Sequence, residues 1–370
     1  METAWEESIN AATKEGDYES TCRPGLNKMS LTNFIESINA EFKFDNILAD
    51  LQLNIAGEIK SSEHGRIAKN LITPTVECGN VLVRFYPCEL DNVKLETGSV
   101  EFEVRALQIL HEFNLPVPVP LLFINDSRQY INRIGTFNVF AYKMLPGRPL
   151  KRQELTPETA LACGQLLSRL IEAASNFVPL NGDYRSKGDI EHLIVIAGKL
   201  STKHPELKEN PRFIEMLRFT EQPSIHESLS QTPMGIVHGD FFHENVLVDD
   251  DSNHHVIPTG IIDFGDAYYG HLIMDICIGA MELSFVQDAE LDLHCLREFL
   301  RPNMKWLVDN QIDCNLFIDL LLVNCFRFAM YTYDDCFDTN PYCKRFKDLS
   351  APHVKNQIHE IYSHLIQEHT

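Results

Sequence analysis

The sequence predicts an α+β fold in two lobes, a strand-rich first part followed by a mostly helical second part. Three observations carry this. Runs such as Val81-Leu-Val-Arg-Phe85 and Phe137-Asn-Val-Phe-Ala-Tyr142 have the β-branched and aromatic content of buried strands, and they lie early in the chain. Leu145-Pro-Gly-Arg-Pro149 then breaks the chain with two prolines and a glycine. Beyond that break, apolar residues recur at helical spacing over long stretches. A chain of 370 residues can bury one large core or two moderate ones. The expected division is a flexible acidic tail over 1–28, a first lobe over 29–144 and a helical lobe over 145–370.

In chain order, Ser30 or Thr32 can cap a helix running to about Ala40, because Leu31, Phe34, Ile35 and Ile38 repeat at helical spacing. Leu51–Ile55 and Arg66–Ile72 read as strands. A turn at Glu77–Asn80 leads into the strand Val81–Phe85, which carries one inward charge, Arg84. Ser99–Phe113 is helical, with Val100, Val104, Leu107 and Leu110 on one stripe, and Asn114 and Pro116 stop it. Leu121–Ile124 and Phe137–Tyr142 are the next strands. Thr156-Pro157-Glu158 opens a helix to Asn176 with a capping hydroxyl, a proline at the first helical position and an acid in the first turn. Residues 182–232 read as charged and irregular, with one helix at Pro211–Thr220. Later helices are expected at Ile273–Leu283, Leu291–Leu300 and Leu316–Tyr331.

Asp and Glu outnumber Lys and Arg by 53 to 32, for a net charge of −21. That argues against nucleic acid, which requires a basic surface to neutralise phosphates, and suits a cationic or amine-bearing small molecule. No run of about 18 apolar residues predicts a membrane span. The acidic opening Met1-Glu-Thr-Ala-Trp-Glu-Glu fits neither a secretory signal nor an Arg-rich transit peptide. The 10 cysteines are scattered without a Cys-x-x-Cys pair, as expected of free thiols in a reducing cytoplasm.

Residues 236–267 concentrate the chemistry. Ile236-Val-His238-Gly-Asp240 ends one apolar run, Asn245-Val-Leu-Val opens the next, and Gly260-Ile-Ile-Asp263 ends a third. Pairing Gly260–Ile262 with Val246–Val248 as a hairpin would set Asp263 beside Asn245. Its polar tip, with Asp249, Asp250, Asp251, His254 and His255, reads as solvated rather than metal-binding. Two carboxylates and an amide at the ends of short buried strands suit phosphoryl transfer, which needs one carboxylate to orient the attacking hydroxyl and oxygen ligands for magnesium.

The pattern His-Gly-Asp-x-x-x-x-Asn followed by Ile-Asp-Phe resembles the aminoglycoside phosphotransferase and choline kinase family, strongly over 236–275 and weakly over the rest of about 30–340. The resemblance implies a protein-kinase-like fold with a small antiparallel-sheet N-lobe that binds nucleotide. It implies ATP or GTP and Mg2+ as cofactors, Asp240 as catalytic base, and Asn245 and Asp263 as metal ligands. His238 would buttress the loop and Asp275 would anchor its backbone. Ile262–Gly270 and Leu145–Leu150 look most like the hydroxylysine kinases, which implies a hydroxyl acceptor that is an amine or amino acid.

The family pattern is met less fully in the first lobe. Kinase-like folds place a lysine on the third strand, paired with a helical glutamate; here Arg84 stands there, with Glu103 as partner and Glu101 as fallback. Backbone near Tyr142 and Met144 would hold the adenine. No Gly-rich loop is present, and Ser61–Gly65 is the one candidate hairpin over the nucleotide. Ile171 stands where the family often has histidine. The acceptor is expected near Asp266, Tyr268, Asp334 and Asp335. Two other readings remain, a protein kinase and an inactive kinase-fold scaffold. Asp275 follows Asp263 by only 12 positions, leaving little room for a peptide-docking segment. Oligomeric state is not legible.

Overall fold

The structure, a computed structural model, describes residues 34, 43–61, 68–88, 100–125, 128–180, 190–250, 256–286, 290–333 and 336–369. The expected acidic tail and most of the helix expected after Ser30 lie outside these. The chain forms two compact units, one ending at Pro146 and one running from Gly147 to Thr370.

In the first unit, helix α1 (Phe44–Asp50) stands just before the expected strand at Leu51–Ile55. Only Ile55 makes a bridge, to Thr75. Phe44, Ile47, Leu48 and Leu51 are all buried, and that three-to-four spacing drives a helix whose end Leu51 caps. Strands β1 (Lys60–Ser61), β2 (Lys69–Thr75) and β3 (Gly79–Pro87) follow. The β2–β3 turn closes where Thr75 Oγ1 donates to Gly79 O at 2.8 Å, with Gly79 at φ +74°. Helix α2 (Val100–Glu112) has the expected stripe, buried at Val100, Val104, Leu107 and Leu110.

The strand expected at Leu121–Ile124 shrinks to one bridge, Phe123 to Gln129. Sheet pairing comes earlier, through β4 (Val119–Pro120), an edge position where proline is tolerated. Strands β5 (Ile131–Ile134) and β6 (Phe137–Lys143) complete an antiparallel sheet in the order β1-β2-β3-β6-β4, with β5 paired to β6. Alternation divides its faces. Leu71, Val83, Phe85 and Val139 pack with Phe44 and Ile47, while Tyr86, Phe140 and Tyr142 pack with Val100 and Val104 of α2.

The second unit opens with β7 (Arg148–Pro149) and α3 (Pro157–Ala174), where Thr159 N–H donates to the capping Thr156 Oγ1 at 3.2 Å. The stretch read as irregular holds three helices, α4 (Ile190–Lys203), α5 (Pro211–Thr220) and α6 (Pro223–Ser230). Of these α5 is the helix expected; α4 carries the continuous apolar run Leu193–Ala197 and α6 is only eight residues long with Ile225 and Leu229 buried, so neither shows a clear one-sided stripe. Strand β8 (Met234–Val237) pairs antiparallel with β11 (Tyr268–His271). Between them, β9 (Val246–Asp250) and β10 (Val256–Ile261) form the expected hairpin, with Val246 opposite Ile261. Asp249 and Asp250 at its tip are exposed.

Helices α7 (Ile273–Ser284), α8 (Leu293–Leu300), α9 (Met304–Asp309), α10 (Cys314–Tyr331), α11 (Pro341–Ser350) and α12 (Pro352–His369) complete the unit. Helix α10 is long and apolar enough to cross a membrane by composition, yet 78% of it is buried inside the protein as a core helix. All nine described cysteines are free. Helices α3 and α8 approach closely at Gly164, where an added Cβ would overlap the Phe299 carbonyl oxygen. Gly164→Ala is expected to destabilise the fold by about 1–3 kcal/mol through overpacking. Urea unfolding checks this, and an unchanged midpoint would mean the helices are further apart.

Candidate functional site

The 238–245 loop begins where β8 ends, and buried groups hold its first peptide units. Asp275, in the first turn of α7 and fully buried, accepts the His238 N–H at 2.6 Å and the Gly239 N–H at 2.9 Å. Burial raises the Asp275 carboxyl, while nearby His238 and these two backbone donors act in the opposite direction. His238, also fully buried, accepts the Asp240 N–H at Nδ1 (3.2 Å), which leaves Nε2 to donate to Ile262 O at 2.9 Å. Its ring packs edge-on against Phe264 with centroids 4.6 Å apart. One histidine thereby joins the 238–240 loop to the end of β10.

Asp240 and Asn245 meet directly. Asn245 Nδ2 donates to Asp240 O at 2.8 Å and to Asp240 Oδ2 at 3.2 Å. The Ile262 N–H donates to Asn245 O at 2.9 Å, extending the β9–β10 ladder and carrying the next residue, Asp263, to the same end. Asp263 adopts φ 63°, ψ 66°, a left-handed conformation that costs a non-glycine residue about 1–3 kcal/mol and clusters at functional sites. Burial, and then the Asp266 carboxylate, push the Asp240 carboxyl up to about 7; Asp263 and Glu282 add to this and Arg327 opposes it.

Four acids share this region, and such crowding suits a divalent cation. Among the described residues no group of three or more His, Cys, Asp or Glu side chains is arranged to hold a metal. An oxygen set of one carboxylate and one amide still fits magnesium, which keeps several waters and takes further oxygens from substrate phosphates.

Of the expected acceptor residues, Asp266 is half-buried in the turn Phe264–Asp266. Tyr268 corrects the expectation. It is 2% exposed, and its ring lies beneath Gly239 and Gly270, so it is walled into the core rather than open to a small molecule. Asp334 and Asp335 lie outside the described residues.

In the first unit, Arg84 and Glu103 are brought together as a buried ion pair at 2.9 Å, with the Arg84 guanidinium 5.8 Å from the Phe140 ring; Glu101 is exposed. Tyr142 pairs in register with Leu82 on one side and Pro120 on the other. The Met144 N–H donates to Asn80 O at 3.0 Å, so an adenine contact at Met144 would use its carbonyl or displace that bond. Most of the Ser61–Gly65 segment lies outside the described residues. Ile171 is buried core.

Three charged residues were missed by sequence reading. Arg327, 1% exposed in α10, donates from Nη2 to Gly239 O at 2.8 Å. Glu282 at the end of α7 pairs with Arg345 of α11 at 2.9 Å, both 2% exposed. Burial, and then Glu282, hold the Tyr342 phenol well above its usual range. For Arg327 and Glu282 the available signal was a charge within an apolar helical run, which composition alone reads as core; Arg345, set among the other charges of α11, gave none.

The sequence pattern of the phosphotransferase enzyme family matches residues 60–307. Homoserine kinase of Methylobacillus flagellatus is 28% identical over 191 residues, 52% of this chain and 54% of that protein, so the chain spans about half the length of that relative. Among solved structures, an amicoumacin kinase in complex with AMP-PNP, Ca2+ and Ami superposes with a TM-score of 0.56 at 15% identity, covering 88% of this chain and 96% of the other. The GDP complex of aminoglycoside 2′-phosphotransferase-IIIa gives 0.55 at 14%, covering 92% and 100%. Plasmodium vivax ethanolamine kinase gives 0.54 at 12%, covering 93% and 98%. At these identities the likeness shows the fold, an α+β kinase-type fold.

Removing the Asp275 carboxylate leaves two buried N–H groups unpaired. Asp275→Ala is expected to destabilise the protein by roughly 2–5 kcal/mol. Denaturant unfolding measures it, and a loss below about 1 kcal/mol would show that water replaces the carboxylate.

Proposed function

This chain belongs to the phosphotransferase enzyme family, and on that premise we propose that it moves the terminal phosphoryl group of ATP (or GTP) to the hydroxyl of a small amine or amino acid such as hydroxylysine. The observation that carries the reading is the Asp240–Asn245 contact, with the β9–β10 hairpin delivering Asp263 to the same end.

Asp240 is the catalytic base. It accepts a hydrogen bond from the acceptor hydroxyl and receives its proton as the oxygen–phosphorus bond forms. Asn245 turns its amide nitrogen to Asp240, which directs its oxygen to the other side, and Asp263 supplies a carboxylate. These two would hold a magnesium ion, which would supply neutralisation of the charge developing on the phosphates. Arg84, fixed by Glu103, steadies the nucleotide phosphates with a planar donor fork in place of a lysine point charge. Backbone near Tyr142 and Met144 takes the adenine.

The acceptor lies beside Asp240 and Asp266, and acids there suit an ammonium group. The net charge of −21 favours the approach of such a cation. The distant likenesses to ethanolamine and amicoumacin kinases support a small-molecule acceptor, and the match to homoserine kinase supports an amino acid.

An ADP-release screen over 5-hydroxylysine, choline, ethanolamine, homoserine and aminoglycosides identifies the acceptor. With that acceptor, Asp240→Asn is expected to lower kcat by roughly 10²–10⁴-fold while nucleotide affinity stays nearly unchanged. Activity retained within about tenfold would remove Asp240 from the role of base. A protein that binds nucleotide but phosphorylates none of these compounds favours the scaffold reading.

A further inference from the structure

We propose that Arg327 is a positioning residue, clamping the Gly239 carbonyl while Asp275 clamps the Gly239 N–H, so that Gly239, the residue leading into Asp240, has its two flanking peptide groups held by two buried opposite charges. Its link to activity rests on the phosphoryl-transfer reading; its link to loop structure does not.

A guanidinium is an expensive occupant of a core helix. Leucine or methionine would fill that volume without desolvating a charge. Arg327 lies against the Phe328 and Tyr331 rings, 5.1 and 5.7 Å from their centroids. Its Nε and Nη1 have no hydrogen-bond partner among the described residues, and the bond it does make is to the Gly239 carbonyl. The side chain is therefore not satisfied by its own helix or by packing. It reaches across the unit for one backbone oxygen of the 238–240 loop.

That oxygen belongs to a tightly constrained residue. Gly239 has φ +80°, and an added Cβ would stand 2.8 Å from Asp266 O and 3.2 Å from Tyr268 Cε1. Its N–H is held by Asp275 at 2.9 Å and its C=O by Arg327 at 2.8 Å. The Asp240 N–H is turned inward to His238. With these groups fixed, the plane of the 239–240 peptide is fixed, and that plane sets the direction in which the Asp240 side chain leaves the backbone.

The test uses full-length Arg327→Met and Arg327→Lys proteins with two readouts. The first is amide hydrogen exchange over residues 236–245, which needs no substrate. Exchange at Gly239 and Asp240 is expected to rise at least about tenfold in Arg327→Met relative to α3 amides of the same protein, and to stay near wild type in Arg327→Lys, which restores the charge and one donor. The second is steady-state kinetics with Mg-ATP and 5-hydroxylysine as the probe acceptor. Here kcat is expected to fall roughly 100-fold in Arg327→Met, the loss that a misplacement of about 1 Å brings, with KM for ATP within about threefold.

Exchange over 236–245 that is unchanged, or that rises only in step with the whole unit, overturns the clamp. If Arg327→Met does not fold, Arg327→Gln takes its place; exchange at Gly239 and Asp240 raised in Arg327→Gln but near wild type in Arg327→Lys supports the proposal, and equal exchange in the two variants overturns it. A wild-type protein that phosphorylates nothing sinks the functional reading and leaves the exchange result to judge the clamp.

Discussion

Residues 238–240 belong to no strand or helix, so their peptide groups depend on side chains for partners. A buried backbone N–H without a partner costs about 1–3 kcal/mol, and two adjacent ones would unravel the loop. Asp275 removes that cost at the price of burying a carboxylate. Everything else in the second unit's site follows from this one bargain. It ties the loop to α7 and leaves His238 free to reach the end of β10 and to accept the N–H of the next residue, Asp240.

The electrostatics then become a matter of crowding. Asp240, Asp263, Asp266 and Glu282 each disfavour a further negative charge in the same region, and burial magnifies the effect. A fold selected for stability alone would have little reason to keep them, or to hold Asp263 in a left-handed conformation. Such an arrangement is reasonable in a protein that receives cations, whether a divalent ion carried with nucleotide or an ammonium on the acceptor. In the first unit the same economy holds at smaller scale, where the buried Arg84 is balanced by Glu103.

The parts of the protein legible from sequence are those where chemistry or alternation restricts residue type. The His238-Gly-Asp240 run and Asn245 stood out as a pattern that the structure brings into contact, and the β9–β10 register was legible because Val246 and Ile261 must both face inward. The strand expected at Leu51–Ile55 failed because Leu51 and Leu53 are buried at the end of a helix, where two-residue spacing arises by accident. Helices α4 and α6 were masked because α4 holds a continuous apolar run, Leu193–Ala197, and α6 is too short for its two buried apolar residues, Ile225 and Leu229, to set a period. Arg327 and Glu282 escaped because their partners are distant in sequence, and no local pattern records a contact across 88 residues, as between Arg327 and Gly239.

The account stands on Asn245 and Asp263 sharing one divalent ion with the nucleotide. Calorimetric titration with a non-hydrolysable ATP analogue, in magnesium and then in EDTA, reads this directly. Wild-type protein should bind more tightly with magnesium, and Asp263→Ala should erase that difference while keeping the weaker metal-free affinity. A variant that retains the full magnesium-dependent gain would contradict the account.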